Sequence, residues 1–197
     1  MNLHKQIQKL IISNGGHLSY KQYMAIAQTV EKMSPCKFLV FGMGRDCDLW
    51  HSINTGRTVF LENIESWRQE IVMQSQYALE SYRVQYKTKG TQYLALLDDH
   101  SSGGNALSLN LPPSLEENKW DVVFVDGPAG YKLKCPCRMK SIAEGFRLCG
   151  SDIFVHDYNR TVESVYCDYF SEGWNLTQSI EHDKGHRKGG ELRHYTI

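Results

Sequence analysis

Five short apolar runs, separated by amphipathic segments, set the limits on what this chain can fold into. They are Phe38–Phe41, Thr58–Leu61, Tyr82–Tyr86, Val122–Val125 and Ile153–Val155. Four of the five are near-continuously apolar, the pattern of strands covered on both faces. The intervening segments carry apolar residues at helical spacing. Ile64 to Gln74 aligns Ile64, Trp67, Ile71 and Val72, and Met139 to Leu148 aligns Met139, Ile142, Ala143 and Phe146. Thr161 to Phe170 aligns Val162, Val165, Tyr166 and Tyr169, and Asp46 can cap a helix carrying Leu49, Trp50 and Ile53. Strand and helix in alternation predict an α/β fold, a mostly parallel, doubly wound sheet with helices on both faces. Trp174–Ile180 and Leu192–Ile197 alternate instead and predict a C-terminal antiparallel hairpin closing the sheet edge. Ahead of the first run, Leu3–Ile12 and Ser19–Met33 predict two helices, the second capped by Ser19. The expected organisation is a single domain over 1–197, with a helical extension at 1–34 and a core at 35–197.

Composition excludes several classes. Lysine plus arginine total 22 and aspartate plus glutamate total 22, a balance that argues against a nucleic-acid binder. No apolar stretch approaches the roughly 18 to 20 residues that span a bilayer. The first ten residues, with His4, Lys5 and Lys9, do not read as a signal peptide, so a cytoplasmic chain without a membrane span is expected. Six cysteines are too few for a disulfide scaffold of 197 residues, and free thiols in a reducing compartment are expected.

In an open parallel sheet, ligands bind outside the carboxyl ends of the strands, so the residues after each run carry the functional reading. Gly42 and Gly44 follow the first run and would let the backbone turn tightly against a ligand. Glu62 ends the second, where a carboxylate can accept both hydroxyl protons of a ribose. The third glycine of the dinucleotide fingerprint is replaced by Cys47, which disfavours NAD and favours S-adenosylmethionine, a cofactor without phosphate. Plain turn glycines and a solvated acid are the alternative. Asp126, after the fourth run, lies beside the same cofactor position; with Asp157 and Asn159 it can supply hard oxygen ligands to a divalent metal ion. Base, anchor and helix-capping roles stay open for these residues, and His156 is a candidate general base. Lys132, Lys134, Arg138 and Lys140 follow Tyr131, and Arg187, Lys188 and Arg193 lie near the hairpin. This clustering suggests an anionic substrate; a solvated face is the alternative.

These residues fall in a recognisable order. Pro35-Cys-Lys-Phe-Leu-Val-Phe-Gly-Met-Gly44, Gly56-Arg-Thr-Val-Phe-Leu-Glu62, Trp120-Asp-Val-Val-Phe-Val-Asp-Gly-Pro-Ala-Gly-Tyr131, Arg138-Met139, Phe154-Val-His-Asp157 and Gly190-Glu-Leu-Arg-His-Tyr195 resemble the plant glucuronoxylan 4-O-methyltransferase family. That family is also called the polysaccharide biosynthesis, or irregular-xylem-fifteen-like, domain. The resemblance implies a Rossmann-like S-adenosylmethionine methyltransferase fold and O-methylation of a sugar hydroxyl in a uronic-acid-containing glycan. It also implies a divalent metal. Within it, Gly42, Gly44, Glu62 and Asp126 hold the cofactor, and Asp126, His156 and Asp157 are catalytic. Tyr131, Lys132 and Arg138 meet an anionic carbohydrate acceptor, and Asp126, Asp157 and Asn159 hold the metal. Arg45 stands where the family usually has histidine, and Cys135-Pro-Cys137 where it has Pro-Gly. Two other classes remain as alternatives: a non-catalytic scaffold or carbohydrate-binding protein on the same fold, and a metal-dependent small-molecule O-methyltransferase.

Overall fold

The structure, a computed structural model, describes residues 2–14, 17–117, 119–183 and 189–197; Arg187 and Lys188 of the expected cationic group lie outside them. Two helices, α1 (Leu3–Ser13) and α2 (Tyr20–Met33), precede strand β1 (Phe38–Phe41). Then come α3 (Cys47–Ile53), β2 (Thr58–Glu62), α4 (Glu65–Gln74), β3 (Glu80–Arg83), α5 (Tyr93–Ser101) and α6 (Pro113–Glu116). The chain ends with β4 (Trp120–Val125), α7 (Met139–Leu148), β5 (Cys149–His156), α8 (Thr161–Phe170), β6 (Asn175–Ile180) and β7 (Leu192–Thr196).

Among the described residues the strands form one sheet in the order β3-β2-β1-β4-β5-β7-β6. β1 runs parallel to β2 and β4, β2 to β3, and β4 to β5, while β7 is antiparallel to both β5 and β6. Successive residues of a strand face opposite sides, so a strand covered on both faces must be apolar throughout. On one face Leu39, Val59, Val123 and Val125 pack with Met139, Ile142 and Tyr166 of α7 and α8. On the other, Phe38, Val40, Phe60 and Phe124 pack with Tyr23, Ile26 and Trp50 of α2 and α3. Trp50 is 1% exposed and meets Tyr23, Phe38 and Phe124. Truncation to alanine at such a site costs roughly 3–5 kcal/mol.

The two N-terminal helices are part of this core, since Ile7, Leu18, Tyr23 and Ile26 are at most 1% exposed. A capping box starts α2: Gln22 N donates to Ser19 Oγ, and Ser19 N donates to Gln22 Oε1 at 2.9 Å. The Gln22 amide also donates to Gly190 O at 2.7 Å and Ile180 O at 3.0 Å, tying α2 to the ends of β6 and β7.

The structure departs from expectation in three places. The hairpin forms, but its second strand β7 inserts beside β5 and leaves β6 at the edge. The third strand is Glu80–Arg83, displaced toward the N-terminus from the expected Tyr82–Tyr86. Helices α5 and α6 occupy a stretch with no clear expectation. All six cysteines are free. Among the described residues no helix is long and apolar enough to cross a membrane.

Candidate active site

The chain builds outward from β1 through β2 to β3 and then returns to β4 on the other side of β1, so a crevice opens between the carboxyl ends of β1 and β4. Both strands leave through glycine. Gly42 has a φ of 109°, and a Cβ on Gly127 would lie 2.8 Å from Gly42 Cα. The two loops therefore touch backbone to backbone, and a side chain at either glycine would separate them. A Cβ on Gly44 would lie 2.8 Å from Asp46 Oδ1, because the Asp46 carboxylate folds back against the loop.

Glu62 ends β2 and is 6% exposed. Its Oε2 accepts from Met43 N at 3.1 Å, and its Oε1 accepts from Asn63 N at 2.7 Å and Ile64 N at 2.8 Å. A carboxylate has about four lone-pair directions, so Glu62 braces the glycine loop and retains one further acceptor position. Trp67 Nε1 donates to Met43 O at 2.7 Å and holds the loop from the α4 side.

Two cavities of about 530 Å³ each adjoin here. The first is bounded by Gly44, Asp46, Trp67 and Asp126, and on its outer side by Asn14 and Tyr23 from the N-terminal helices. The second is bounded by Tyr131, Arg138, His156, Asp157, Asn159 and Arg160. Asp126 and His17 line both.

Between the cavities lies a charge network. Arg138 is 4% exposed; its guanidinium donates to Asp126 Oδ1 at 2.9 Å, Asp157 Oδ2 at 2.7 Å and His156 O at 2.5 Å. His156 Nδ1 lies 2.8 Å from Asp126 Oδ1, while its Nε2 is buried without a hydrogen-bond partner among the described residues. Arg160 pairs with Asp157 Oδ2 at 2.8 Å and stays one-third exposed. The Asp157 backbone is left-handed, with a φ of 65°, a conformation aspartate tolerates better than most residues. Burial by itself would raise the Asp126 carboxyl, but the adjacent His156 and Arg138 outweigh it and hold the group at about 2. In contrast, burial and then the charge of Asp126 push Asp46 up to about 6.

This geometry bears on three expectations. Arg138 lines the second cavity, but it is buried and its guanidinium is engaged by two carboxylates and a carbonyl. Asp126, His156 and Asp157 do bring three ligand atoms within 4.8 Å of one another. Yet the Arg138 guanidinium lies against both carboxylates, and a divalent ion there would meet that positive charge at contact distance. Asn159 lines the same cavity, and its Oδ1 already accepts from Glu191 N at 3.1 Å. With Arg138 against both carboxylates, the residues present do not fit the expected Asp126–Asp157–Asn159 metal site. The Nδ1 of His156 is already engaged with Asp126. Of the remaining cations, Lys132 is exposed with its amine over the Tyr131 ring. Lys134 is exposed, Lys140 donates to Ser108 O, and Arg193 pairs with Glu191.

Asp46 stands at the expected N-cap position of α3, but its side chain makes no capping hydrogen bond. The sequence assigns no site role to His17, Tyr23 or Arg160. The signal for Asp46 was its place two residues beyond Gly44; nothing local to His17 or Tyr23 marks them, because α1 and α2 reach the crevice only through tertiary packing.

The sheet order, the glycine loop and the strand-end crevice define a Rossmann-like fold of the methyltransferase type. The N-methyltransferase NodS from Bradyrhizobium japonicum, solved with S-adenosyl-L-homocysteine, matches with a TM-score of 0.57 at 6% identity, over 100% of this chain and 98% of its own. The branched-chain polyamine synthase from Thermus thermophilus, solved with 5′-methylthioadenosine, matches with a TM-score of 0.52 at 11% identity, over 88% of this chain and 54% of its own. At such identities the likeness concerns the fold alone.

Sequence relatives are far more specific. The chain belongs to the IRX15/IRX15L/GXM family, whose model matches residues 21–182. It is 36% identical over 190 residues to glucuronoxylan 4-O-methyltransferase 2 of Arabidopsis thaliana, covering 86% of this chain and 62% of that one. It is 31% identical to arabinogalactan O-methyltransferase 1 of Arabidopsis thaliana over 164 residues, 72% of this chain and 56% of that one. Protein IRREGULAR XYLEM 15 of Arabidopsis thaliana is 34% identical over 191 residues, 83% of this chain and 58% of that one. The chain thus spans about three fifths of the length of these curated relatives.

Proposed function

We propose that this chain is an S-adenosylmethionine-dependent O-methyltransferase acting on a sugar hydroxyl of a uronic-acid-containing glycan. The observation that carries the reading is the pair of adjoining cavities that share Asp126. One is bounded by the glycine loop and by Trp67 of α4; the other is polar and lined by arginine. Membership of a family whose relatives are named glucuronoxylan and arabinogalactan O-methyltransferases supports the acceptor class.

In this reading the loop at Gly42 and Gly44 takes the methionine part of the cofactor, and the free acceptor position of Glu62 takes the ribose. The acceptor sugar lies in the second cavity with its carboxylate toward Arg160, flanked by Tyr131 and Lys132. Methyl transfer is an in-line displacement: the sugar oxygen forms a bond to the methyl carbon, and the carbon–sulfur bond breaks. Its electron pair stays on sulfur and yields the neutral thioether. Alignment of oxygen, carbon and sulfur is the main contribution the protein makes.

Asp126 Oδ1 is engaged by Arg138 and His156, which leaves Oδ2 for the acceptor hydroxyl. A carboxyl held near 2 is a weak base toward a resting alcohol. The hydroxyl turns strongly acidic as its oxygen takes on the methyl group, so the proton passes late, to Asp126 Oδ2, and such a carboxylate suffices. His156 and Arg138 are positioning residues here: they fix the rotamer of Asp126 and keep it ionised.

Incubation with labelled S-adenosylmethionine and a panel of uronic-acid oligosaccharides tests the reading. Label should enter the uronates and not their carboxyl-reduced counterparts. Binding of both ligands without transfer would select a non-catalytic family member, and transfer to catechols but not uronates a small-molecule methyltransferase.

A further inference from the structure

A third cavity, of about 480 Å³, lies between α5, the last turn of α7 and the end of α8. Small organic ligands occupy cavities of about 300–1,000 Å³, so its size suits one. It is separate from the acceptor cavity. Arg138 stands at the N-terminal end of α7 and lines the acceptor cavity, whereas Arg147 lines this one, about 14 Å further along the helix axis. The walls are aromatic: Trp174 meets Phe146 edge to face with centroids 5.4 Å apart, and the His100 ring lies 5.0 Å from Phe170. The polar groups are few and incompletely used. Trp67 Nε1 donates to Met43 O, Trp120 Nε1 to Leu115 O, and Trp50 bonds to Asp46, but the Trp174 indole N–H has no partner among the described residues. Arg147 is half exposed and gives Nε and one terminal nitrogen to a single oxygen, Glu144 Oε2, at 2.6 and 2.5 Å. Its other terminal nitrogen makes no hydrogen bond among the described residues. Glu144 is 2% exposed and is fixed in turn by Leu109 N at 2.8 Å, so the guanidinium is held in place.

We infer that this cavity is a second carbohydrate site, which holds a uronic-acid residue of a glycan away from the place of methyl transfer. The choice of a uronate rests on the function proposed above; the chemistry of the cavity itself selects a sugar. A pyranose ring offers C–H bonds on its faces and hydroxyls around its rim. The negative face of an aromatic ring attracts the first, and Trp174 and Phe170 supply such faces. The Trp174 indole N–H and the exposed Asn105 amide can bond to the second. An apolar ligand would cover those same groups and leave them unpaired, which opposes its binding. Arg147 adds the free edge of a guanidinium, a match for a planar carboxylate. Because Glu144 already orients that guanidinium, little side-chain freedom is lost when the carboxylate arrives.

Proton–nitrogen NMR of the indole groups reads this site directly, since the chain has only 4 tryptophans. The Trp174 signal is assigned by its absence from Trp174→Phe. Titration of the wild-type chain with a uronic-acid oligosaccharide should move that signal to a saturating shift. The carboxyl-reduced oligosaccharide should bind there at least about tenfold more weakly, the value of one hydrogen bond to a charged group. Arg147→Gln keeps a donor for Glu144 and should weaken the uronate at this signal by at least about tenfold. Its kcat for methyl transfer should change by less than about twofold, because the lost contact lies outside the reacting centre. No shift of Trp174 up to the solubility limit of the oligosaccharide would overturn the inference. So would equal binding of the carboxyl-reduced form, or an unchanged titration by a folded Arg147→Gln chain. A shift caused by a fatty acid or a phenol, and not by the uronate, would assign another ligand and overturn it as well. The proposed function fails separately: a chain whose Trp174 signal responds to the uronate but which transfers no methyl group to it contradicts that reading and leaves this site standing.

Discussion

Arg138 separates two carboxylates that would otherwise repel each other, and its removal leaves Asp157 and Asp126 short of a counter-charge in a buried setting. Arg138→Ala should therefore destabilise the fold by about 3–5 kcal/mol in urea unfolding, the usual loss when one member of a buried pair is deleted. A surface cation would change stability by about 0.5 kcal/mol or less, which would return Arg138 to the role its charge alone suggests. In the proposed reading Arg160 meets the acceptor: Arg160→Ala should raise the acceptor KM at least about tenfold while kcat changes little, the signature of lost uniform binding. Steady-state kinetics with one uronate oligosaccharide gives both constants. Asp46 and Asp126 act on stability in opposite directions. The raised Asp46 carboxyl means that the native chain holds a proton the unfolded chain has already released between pH ~4 and ~6, so stability falls as pH rises through that window. Asp126, held at about 2, contributes stability above pH ~4 that is lost as pH falls toward its folded value. Asp46→Asn should consequently gain on the wild type by up to about 3 kcal/mol between pH 4 and pH 7. A difference independent of pH would show that Asp46 is not desolvated.

At the scale of elements, the site depends on the contact between the loops after β1 and β4. Gly127→Ala drives a Cβ to 2.8 Å from Gly42 Cα, and backbone cannot swing aside as a side chain can. The variant should lose about 1–3 kcal/mol of stability, a typical overpacking cost, and bind S-adenosylhomocysteine more weakly; an unchanged melting temperature together with unchanged binding would refute the contact. Most of the elements are legible in the sequence. β1, β2 and β4 declare themselves because both of their faces are covered, and α7 and α8 begin and end where their apolar spacing does. β3 is less legible because it is a sheet edge with no fully buried residue, so no continuous apolar run marks it. The inward position of β7 was hidden too, since alternation reports that a strand exists but not which neighbour it pairs with. Of the site, the glycines, Glu62 and Asp126 could be located because strand ends locate them. Charge says nothing about burial, and so the enclosure of Arg138 and of Asp46 could not be read from the sequence.

For the molecule as a whole, the N-terminal helices and the sheet act as one body around the crevice. Gln22 ties α2 to Gly190, Arg45 ties the glycine loop to Ser13, and His17 reaches the junction of the two cavities. In the proposed reading cofactor and acceptor meet at Asp126, which both cavities share. Single-turnover methyl transfer to a uronate oligosaccharide, with wild-type chain and Asp126→Asn compared at saturating concentrations of both ligands, tests that reading most directly. The wild type should transfer the methyl group, and the variant should be slower by at least ~100-fold, the lower range for lost proton acceptance and charge stabilisation, while its affinity for S-adenosylhomocysteine falls less than about tenfold. Transfer by the variant at the wild-type rate, or no transfer by a wild-type chain that has bound both ligands, would contradict the account.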